Sequence, residues 1–479
     1  MLVTTAHSDR AGIDLERRDL TLDLARVFCV LLVVVVHLLF VGVGPGSDGG
    51  IAISRPLEEQ PWFWIATWFG QVMPLFFVVG GFATATALRS ARRRAEAASD
   101  APGLVARTFV HARIQRLARP ALPLFVTLAL ALGIATALGV DPELLRSVAT
   151  GVGSPLWFLG AYLICQLAAP LLLGWHERAP WRTVLVLLAA VVLIDVAQFT
   201  VPGIPVDPAG MSLLGYLNLL FVWPLVQQIG FWYADGWFAR RAWWQLVLIA
   251  GVCWGSLVPL TSWAPYSDDM LTNLNPPTLP LVALGLGQAA LLQLLKPPLT
   301  ALMRTRVMRG FVFVIGARLM TIYLWHLPLI LAIAGAGLLL PGIAPAPGDA
   351  SWWATRPLIY LLVIGLLLLL SLVLGRFERS APVLHAGALG VLAAAGLVTI
   401  VPSVVITITG LSLVLAVAGA VGYAVAVALL ARGQNPKSPP KSAEPKSASV
   451  AGSAEEASVA DASAASHGRN ALTSAEPIT

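Results

Sequence analysis

Apolar stretches of about twenty residues recur along the chain, near 24–43, 62–88, 121–140, 156–174, 183–200, 212–234, 243–262, 278–295, 311–335, 356–374, 386–401 and 404–430. A helix of that length crosses the hydrocarbon core of a bilayer, about 30 Å thick. Backbone in lipid is satisfied only by helices or closed barrels, and these unbroken runs lack the alternation of barrel strands. The pattern therefore predicts an all-α, polytopic membrane helical bundle of about ten core helices plus two C-terminal helices.

The polar segments divide the chain further. Residues 1–23 read as a cytoplasmic N-terminal segment, too charged for the apolar stretch of a signal peptide, so that 24–43 stays as an anchor. Residues 24–379 form the main membrane domain and 380–431 hold the two extra helices. Residues 432–479, rich in Ala, Ser, Pro, Lys and Glu, lack the large side chains that offset ordering entropy and read as a disordered cytoplasmic tail.

Composition agrees: 57% hydrophobic residues, 12% charged and a mean hydropathy of +0.80 exclude a soluble domain of this length. The net charge of +6 is laid out by topology. Arg10, Arg17 and Arg18, then Arg89, Arg92, Arg93, Arg94, Arg107, Arg113, Arg116 and Arg119, then Arg178, Arg182, Arg240, Arg241, Lys296, Arg304, Arg306, Arg309, Arg376 and Arg379 fall in alternate loops. The opposite loops hold Arg55 and Arg146 among many acids. The orientation rule then puts both termini in the cytoplasm of a cell that carries the chain in its inner (plasma) membrane, and the charge speaks for membrane topology, not nucleic acid. Cys29, Cys165 and Cys253 have neither a paired spacing nor a His-rich neighbourhood, so no metal site is expected.

Two ionisable residues stand inside the first span. Arg26 and His37 are eleven positions apart, which is roughly 16 Å along a helix and within roughly 20° of one face. An intramembrane charge costs about 2.5 to 3.5 kcal/mol on insertion scales, so the shared stripe calls for a catalytic reason beyond packing. Alone, either residue would read as a snorkelling Arg or a His satisfied by a carbonyl.

Leu22-Asp23-Leu24-Ala25-Arg26 followed by His37 resembles the Arg-x10-His signature of the acyltransferase family 3 integral-membrane acyltransferases, of the bacterial O-acyltransferase type. The run from Met73 through Pro74, Phe76 and Phe77 to Gly80, Gly81 and Phe82 is similar to that family's second-helix motif, Arg113 and Arg116 to its basic pair, Leu156-Trp157-Phe158-Leu159 to its Leu-Trp-Phe-Leu segment, and Tyr323-Leu324-Trp325-His326 to its late Tyr-Leu-Trp-His motif. Ala25 and Val27 replace glycines usual beside the Arg, and Gly80 stands where Ser is common.

The resemblance implies transfer of an acyl group from acyl-coenzyme A, a donor substrate and not a resident cofactor, to a hydroxyl of a carbohydrate, glycolipid, or related envelope or secondary-metabolite acceptor. His37 would be the general base and Arg26 a catalytic cation nearer the cytosol, since a hydroxyl needs a base and the donor's phosphates need cations. Arg113 and Arg116, three apart just before the third helix, either grip the nucleotide end or serve orientation. Arg318 and His326, eight apart in the ninth window, are compatible with one interior face; His326 either orients the acceptor, polarises the thioester carbonyl or packs. Trp157 and Tyr323 either line the cavity or belong to the interfacial belt. Asp195, Asn218, Gln227, Gln228 and Gln288 either line a polar path or bond across helices. An acyl-His37 intermediate and direct transfer both remain open. The expected partners are acyl-coenzyme A, the hydroxylated acceptor and membrane lipids. A different class, a multi-pass transporter or flippase of an anionic or lipid-linked substrate, uses similar groups, but Pro74, Pro224 and Pro328 fall in no duplicate pattern.

Overall fold

The computed structural model describes residues 19–45, 50–99, 102–338, 345–379, 383 and 386–432. Arg10, Arg17, Arg18 and the tail from residue 433 lie outside the described residues. The architecture is all-α, with one short antiparallel hairpin among the described residues. Among the described residues eleven helical stretches are long and apolar enough to cross a membrane, and one further pair bent by 60° makes twelve. The chain is a multi-pass membrane protein.

Helix α1 (Leu20–Phe40) starts where Asp19 accepts the backbone N–H of Thr21 at 3.2 Å. The chain then pairs β1 (Gly42–Pro45) with β2 (Ile51–Ser54), placing Gly42 opposite Ser54. Two helices follow within the 62–88 window, α2 (Phe63–Gly70) and α3 (Met73–Ala97). The break between them is held by Gln71, whose carbonyl accepts Gln288 Nε2 at 2.7 Å, and Pro74, lacking an N–H, suits the first turn of α3.

Helix α4 (Pro102–Ala137) is far longer than the 121–140 window. Arg113 and Arg116 therefore lie within this helix and not in a loop before it, a correction to the sequence reading. The helix continues through Pro120 and Pro123, which costs it the intrahelical bonds to the carbonyls of Arg116 and Arg119. After α5 (Pro142–Gly153) and a tight turn at Ser154–Leu156 come α6 (Trp157–Arg178), α7 (Pro180–Thr200), a second tight helical stretch (Leu213–Leu220) and α8 (Val222–Ala234). Then follow α9 (Trp243–Ser262), α10 (Leu279–Leu294) and α11 (Lys296–Met303), the last two forming the bent pair.

The 311–335 window is split. An amphipathic helix α12 (Arg306–Gly316) ends at Ala317, and α13 (Leu319–Gly337) starts afresh. The new start is capped from α14 (Ala350–Glu378): Glu378 accepts the backbone N–H of Thr321 at 2.5 Å and its hydroxyl. The last spans, α15 (Leu389–Thr409) and α16 (Leu413–Arg432), divide at Gly410, whose φ of +79° suits glycine, while Pro402 is tolerated inside α15.

Helices α3 and α8 form the centre, with α6 and α10 against them. Their backbones meet at Gly81 and Gly230: a Cβ on Gly81 would stand 2.3 Å from the carbonyl oxygen of Gln227, and one on Gly230 2.1 Å from that of Val78. Helix α1 packs on α3, α11, α12, α13 and α14, and α4 packs on α3, α6, α13, α14, α15 and α16. Thus α1 and α4 both pack on α3, α13 and α14.

One end of the bundle gathers the basic groups. Arg89 reaches Glu177 at 3.0 Å and Asp235 at 2.7 Å, Arg119 donates to the carbonyl of Arg379 at 2.9 Å, and Lys296 meets Asp19 at 2.7 Å. Burial alone would raise the Asp19 carboxyl, but the Lys296 ammonium and Thr21 hold it below its ordinary value.

Two outcomes follow. Gly230→Ala forces α3 and α8 apart and lowers stability by about 1–3 kcal/mol, read as an earlier thermal unfolding midpoint. Asp19→Ala costs about 1–2 kcal/mol at neutral pH. Because the folded Asp19 is the stronger acid, its contribution is complete above the ordinary carboxylate value and is lost as pH falls below that through the lowered folded value, so melting curves of parent and variant converge in acid.

Candidate active site

The unbroken course of α1 keeps Arg26 and His37 on nearly one face, roughly 16 Å apart along the axis. His37 lies in the last turn, its Nδ1 2.9 Å from the carbonyl oxygen of Val33. From α13, His326 brings its Nε2 to 3.3 Å from the same Nδ1, with ring centroids 4.9 Å apart. The other nitrogen of His326, Nδ1, sits 2.6 Å from the carbonyl oxygen of Tyr323.

These contacts order the protons. A carbonyl only accepts, so each Nδ1 carries hydrogen. Neutral His326 then offers a lone pair on Nε2 to the Nδ1–H of His37, which it shares with Val33. The remaining nitrogen, His37 Nε2, carries a lone pair, and no hydrogen bond among the described residues occupies it. His326 is fully buried and His37 only partly so. Of the two imidazoles, His37 is the more accessible.

Tyr323 supports the pair from both ends. Its carbonyl orients His326, and its hydroxyl donates to the carbonyl of Pro155 in the tight turn before α6. Phe158 lies 4.8 Å from the Tyr323 ring and stacks on Tyr162 at 5.3 Å. Trp157 stacks on Trp223 at 5.2 Å, and Trp223 on Phe77 at 4.3 Å. Trp157 is buried in this aromatic wall and not displayed to lipid. The segments singled out around Phe77, Trp157 and Tyr323 thus meet in space.

Towards the basic end, Arg26 has Asp23 at 3.9 Å one turn before it. Arg113 lies over the ring of Phe109 at 4.7 Å, within electrostatic reach of Arg26, Arg116 and Tyr162. Among the described residues neither Arg113 nor Arg116 forms an ion pair with a carboxylate. Arg26 of α1 and Arg113 and Arg116 of α4 thus bring like charges near one another, with Asp23 at 3.9 Å from Arg26 as the acid beside them. Arg318 is placed differently from the sequence reading, which set it on a helix with His326. It is the non-helical residue before α13, with φ of −124°, and its guanidinium fills the space left by Gly375, where a Cβ would come 2.7 Å from Nη1.

The other intramembrane polar groups tie helices together. Asp195 accepts from Gln198 at 2.8 Å, Asn218 at 2.7 Å, Tyr266 at 3.0 Å and the backbone of Leu279 at 3.0 Å. Gln228 and Asp235 hold the two nitrogens of buried His176 at 3.0 and 2.9 Å. Arg89 and Arg92, read from sequence as orientation charges, join this network through Glu177 and Asp235. Sequence reasoning also passed over Arg356, which lies over the Trp352 ring at 4.3 Å. Its place at a window edge hid that it shares the side of α14 that carries buried Trp352 and Val363.

A family model for the acyltransferase domain of acyltransferase family 3 matches residues 19–376 of the 479. The chain belongs to this family. Neither the curated proteins nor the solved structures include a match to it. In this acyltransferase the match runs from the cap of α1 into α14, so the histidine pair, the aromatic wall and the arginines all fall within it, and α15 and α16 lie beyond it.

Tyr323→Phe removes the bond to Pro155 while keeping the ring. The expected loss is about 0.5–1.5 kcal/mol, measured as a lower unfolding midpoint of the purified acyltransferase in detergent.

Proposed function

We propose that this membrane acyltransferase moves an acyl group, acetyl in the simplest case, from acyl-coenzyme A to a hydroxyl of a carbohydrate, glycolipid or related envelope or secondary-metabolite acceptor. The observation that carries the reading is the open lone pair of His37 Nε2, backed by His326 and lying roughly 16 Å from the arginine group. By the orientation rule the basic end faces the cytosol, with both termini there, and His37 lies toward the outer leaflet of the inner (plasma) membrane. A coenzyme A donor fits that polarity: its phosphates meet Arg26, Arg113, Arg116 and Arg318, and its flexible arm carries the thioester inward.

In this scheme His37 Nε2 takes the proton of the acceptor hydroxyl as the oxygen attacks the thioester carbonyl carbon. A C–O bond forms and the C–S bond breaks. The imidazolium then returns a proton to the departing thiolate, leaving ester and free coenzyme A. Throughout, Nδ1–H stays with Val33 and His326, so His326 and Tyr323 act as positioning residues and Trp157 as part of the wall beside them. The acceptor is approached from the outer side, which favours an extracytoplasmic envelope hydroxyl.

The experiment supplies purified protein with radiolabelled acetyl-coenzyme A and candidate acceptors. Label passes to the acceptor, and His37→Ala reduces the turnover by about 10²–10⁴-fold. Arg26→Ala raises the KM for the donor by about tenfold or more. His326→Gln lowers kcat by about tenfold or more while the donor KM stays unchanged and the unfolding midpoint of the purified variant matches that of the parent. Transfer that survives His37→Ala, or substrate uptake without label transfer, overturns the scheme.

A further inference from the structure

The segment from α10 to α13 carries basic residues of which the catalytic reading uses Arg318 alone. Between Asp269 and Asp349 the sequence has no acidic residue, yet it holds Lys296, Arg304, Arg306, Arg309 and Arg318. Among the described residues Arg304, Arg306 and Arg309 are exposed and form no ion pair. An orientation rule explains charges in such a loop. It does not explain their order on a helix.

Helix α12 sorts its residues onto three faces. Val312 and Ile315 are buried, and the helix packs on α1. The next face exposes three apolar side chains, Val307 (83%), Phe311 (44%) and Val314 (53%). Arg306 and Arg309 hold the third face, with Phe313 between them in angle and 75% exposed. Apolar, basic and aromatic positions so arranged suit a helix lying at the level of lipid headgroups. Beside it, an open cavity of about 400 Å³ is lined by Gln293, Lys296, Thr300 and Arg304.

We infer that α11 and α12 form a binding site for an anionic phospholipid headgroup, seated at Lys296, Thr300 and Arg304 and continued by Arg306 and Arg309, with the acyl chains lying along Val307, Phe311 and Val314. Charge complementarity commits the site to an anionic lipid, because a zwitterionic headgroup offers the cluster no net charge. The location gives the lipid leverage on the enzyme. Both α11 and α12 abut α1, Lys296 holds Asp19 at the start of that helix, and Gly316 lies against Val27, next to Arg26. Through Ala317 and Arg318 the same segment leads into α13, which carries His326. The inference rests on the membrane placement of the basic end and not on acyl transfer, and its test reads lipid and not label.

The full chain in detergent is titrated with phosphatidylglycerol or phosphatidylcholine, and retained lipid is counted by native mass spectrometry. Phosphatidylglycerol is held in preference to phosphatidylcholine, less so as salt rises. The combined Arg304→Gln, Arg306→Gln, Arg309→Gln variant weakens that binding by about fivefold per residue, on the order of a hundredfold in all. Arg93→Gln with Arg94→Gln, basic residues of the same end on α3, leaves it unchanged. Equal retention of the two lipids, an unaltered triple variant, an equal loss in the Arg93 and Arg94 variant, or full displacement by glycerol 3-phosphate each overturns the inference, the last by pointing to a soluble phosphate as the occupant.

Discussion

Two backbone carbonyls orient the histidine pair. Val33 and Tyr323 each sit at an imidazole Nδ1, at 2.9 and 2.6 Å, and so favour the tautomers of His37 and His326 with hydrogen on Nδ1. A histidine free to choose its tautomer would present a base only part of the time. With both Nδ1 positions so engaged, the lone pair of His37 falls on Nε2, and the fully buried His326 packs against its ring. The rest of the bundle keeps α1 and α13 close enough for that 3.3 Å contact to persist.

That closeness depends on packing a few helices away. The Gly81–Gly230 approach lets α3 and α8 touch backbone to backbone, giving α1 a firm surface on one side. On the other, Glu378 of α14 caps the start of α13, and Gly375 makes room for Arg318. The aromatic wall from Phe77 through Trp223 to Trp157, and from Phe158 to Tyr323, joins the centre of the bundle to the histidine pair. Small residues where backbones meet and rings where space must be filled are complementary solutions to one demand, since lipid supplies no hydrophobic force to drive helices together.

The two spans beyond the family match are part of this construction. Helix α16 presses Gly419 against Phe125 of α4, and its Tyr423 stacks on that ring at 4.8 Å while meeting Ser403 of α15 at 2.9 Å. Helix α15 in turn lies along α6, where Gly160 faces Ser403 and Val404. Both added helices therefore brace elements that carry site residues, α4 with Arg113 and Arg116 and α6 with Trp157. The polar ties at Asp195 and around His176 do similar work for the remaining helices.

Local rules were enough to read the spans and the common stripe of Arg26 and His37, because helix geometry relates residues a few turns apart without reference to anything else. The same rules went astray where a neighbour decides an end: Arg113 entered a helix that passes through two prolines, and the break before α13 depends on a carboxylate 57 positions away from Thr321. The short motifs pointed to Phe77, Trp157, Tyr323 and His326 but were silent on how they meet. His37 and His326 are 289 positions apart, and Tyr323 and Pro155 are 168 apart. Periodicity carries no information over such distances. The membrane fold and the charged stripe were thus written in the chain itself, whereas the contact of His37 with His326 and the approach of Arg113 to Arg26 arose only when distant helices packed side by side.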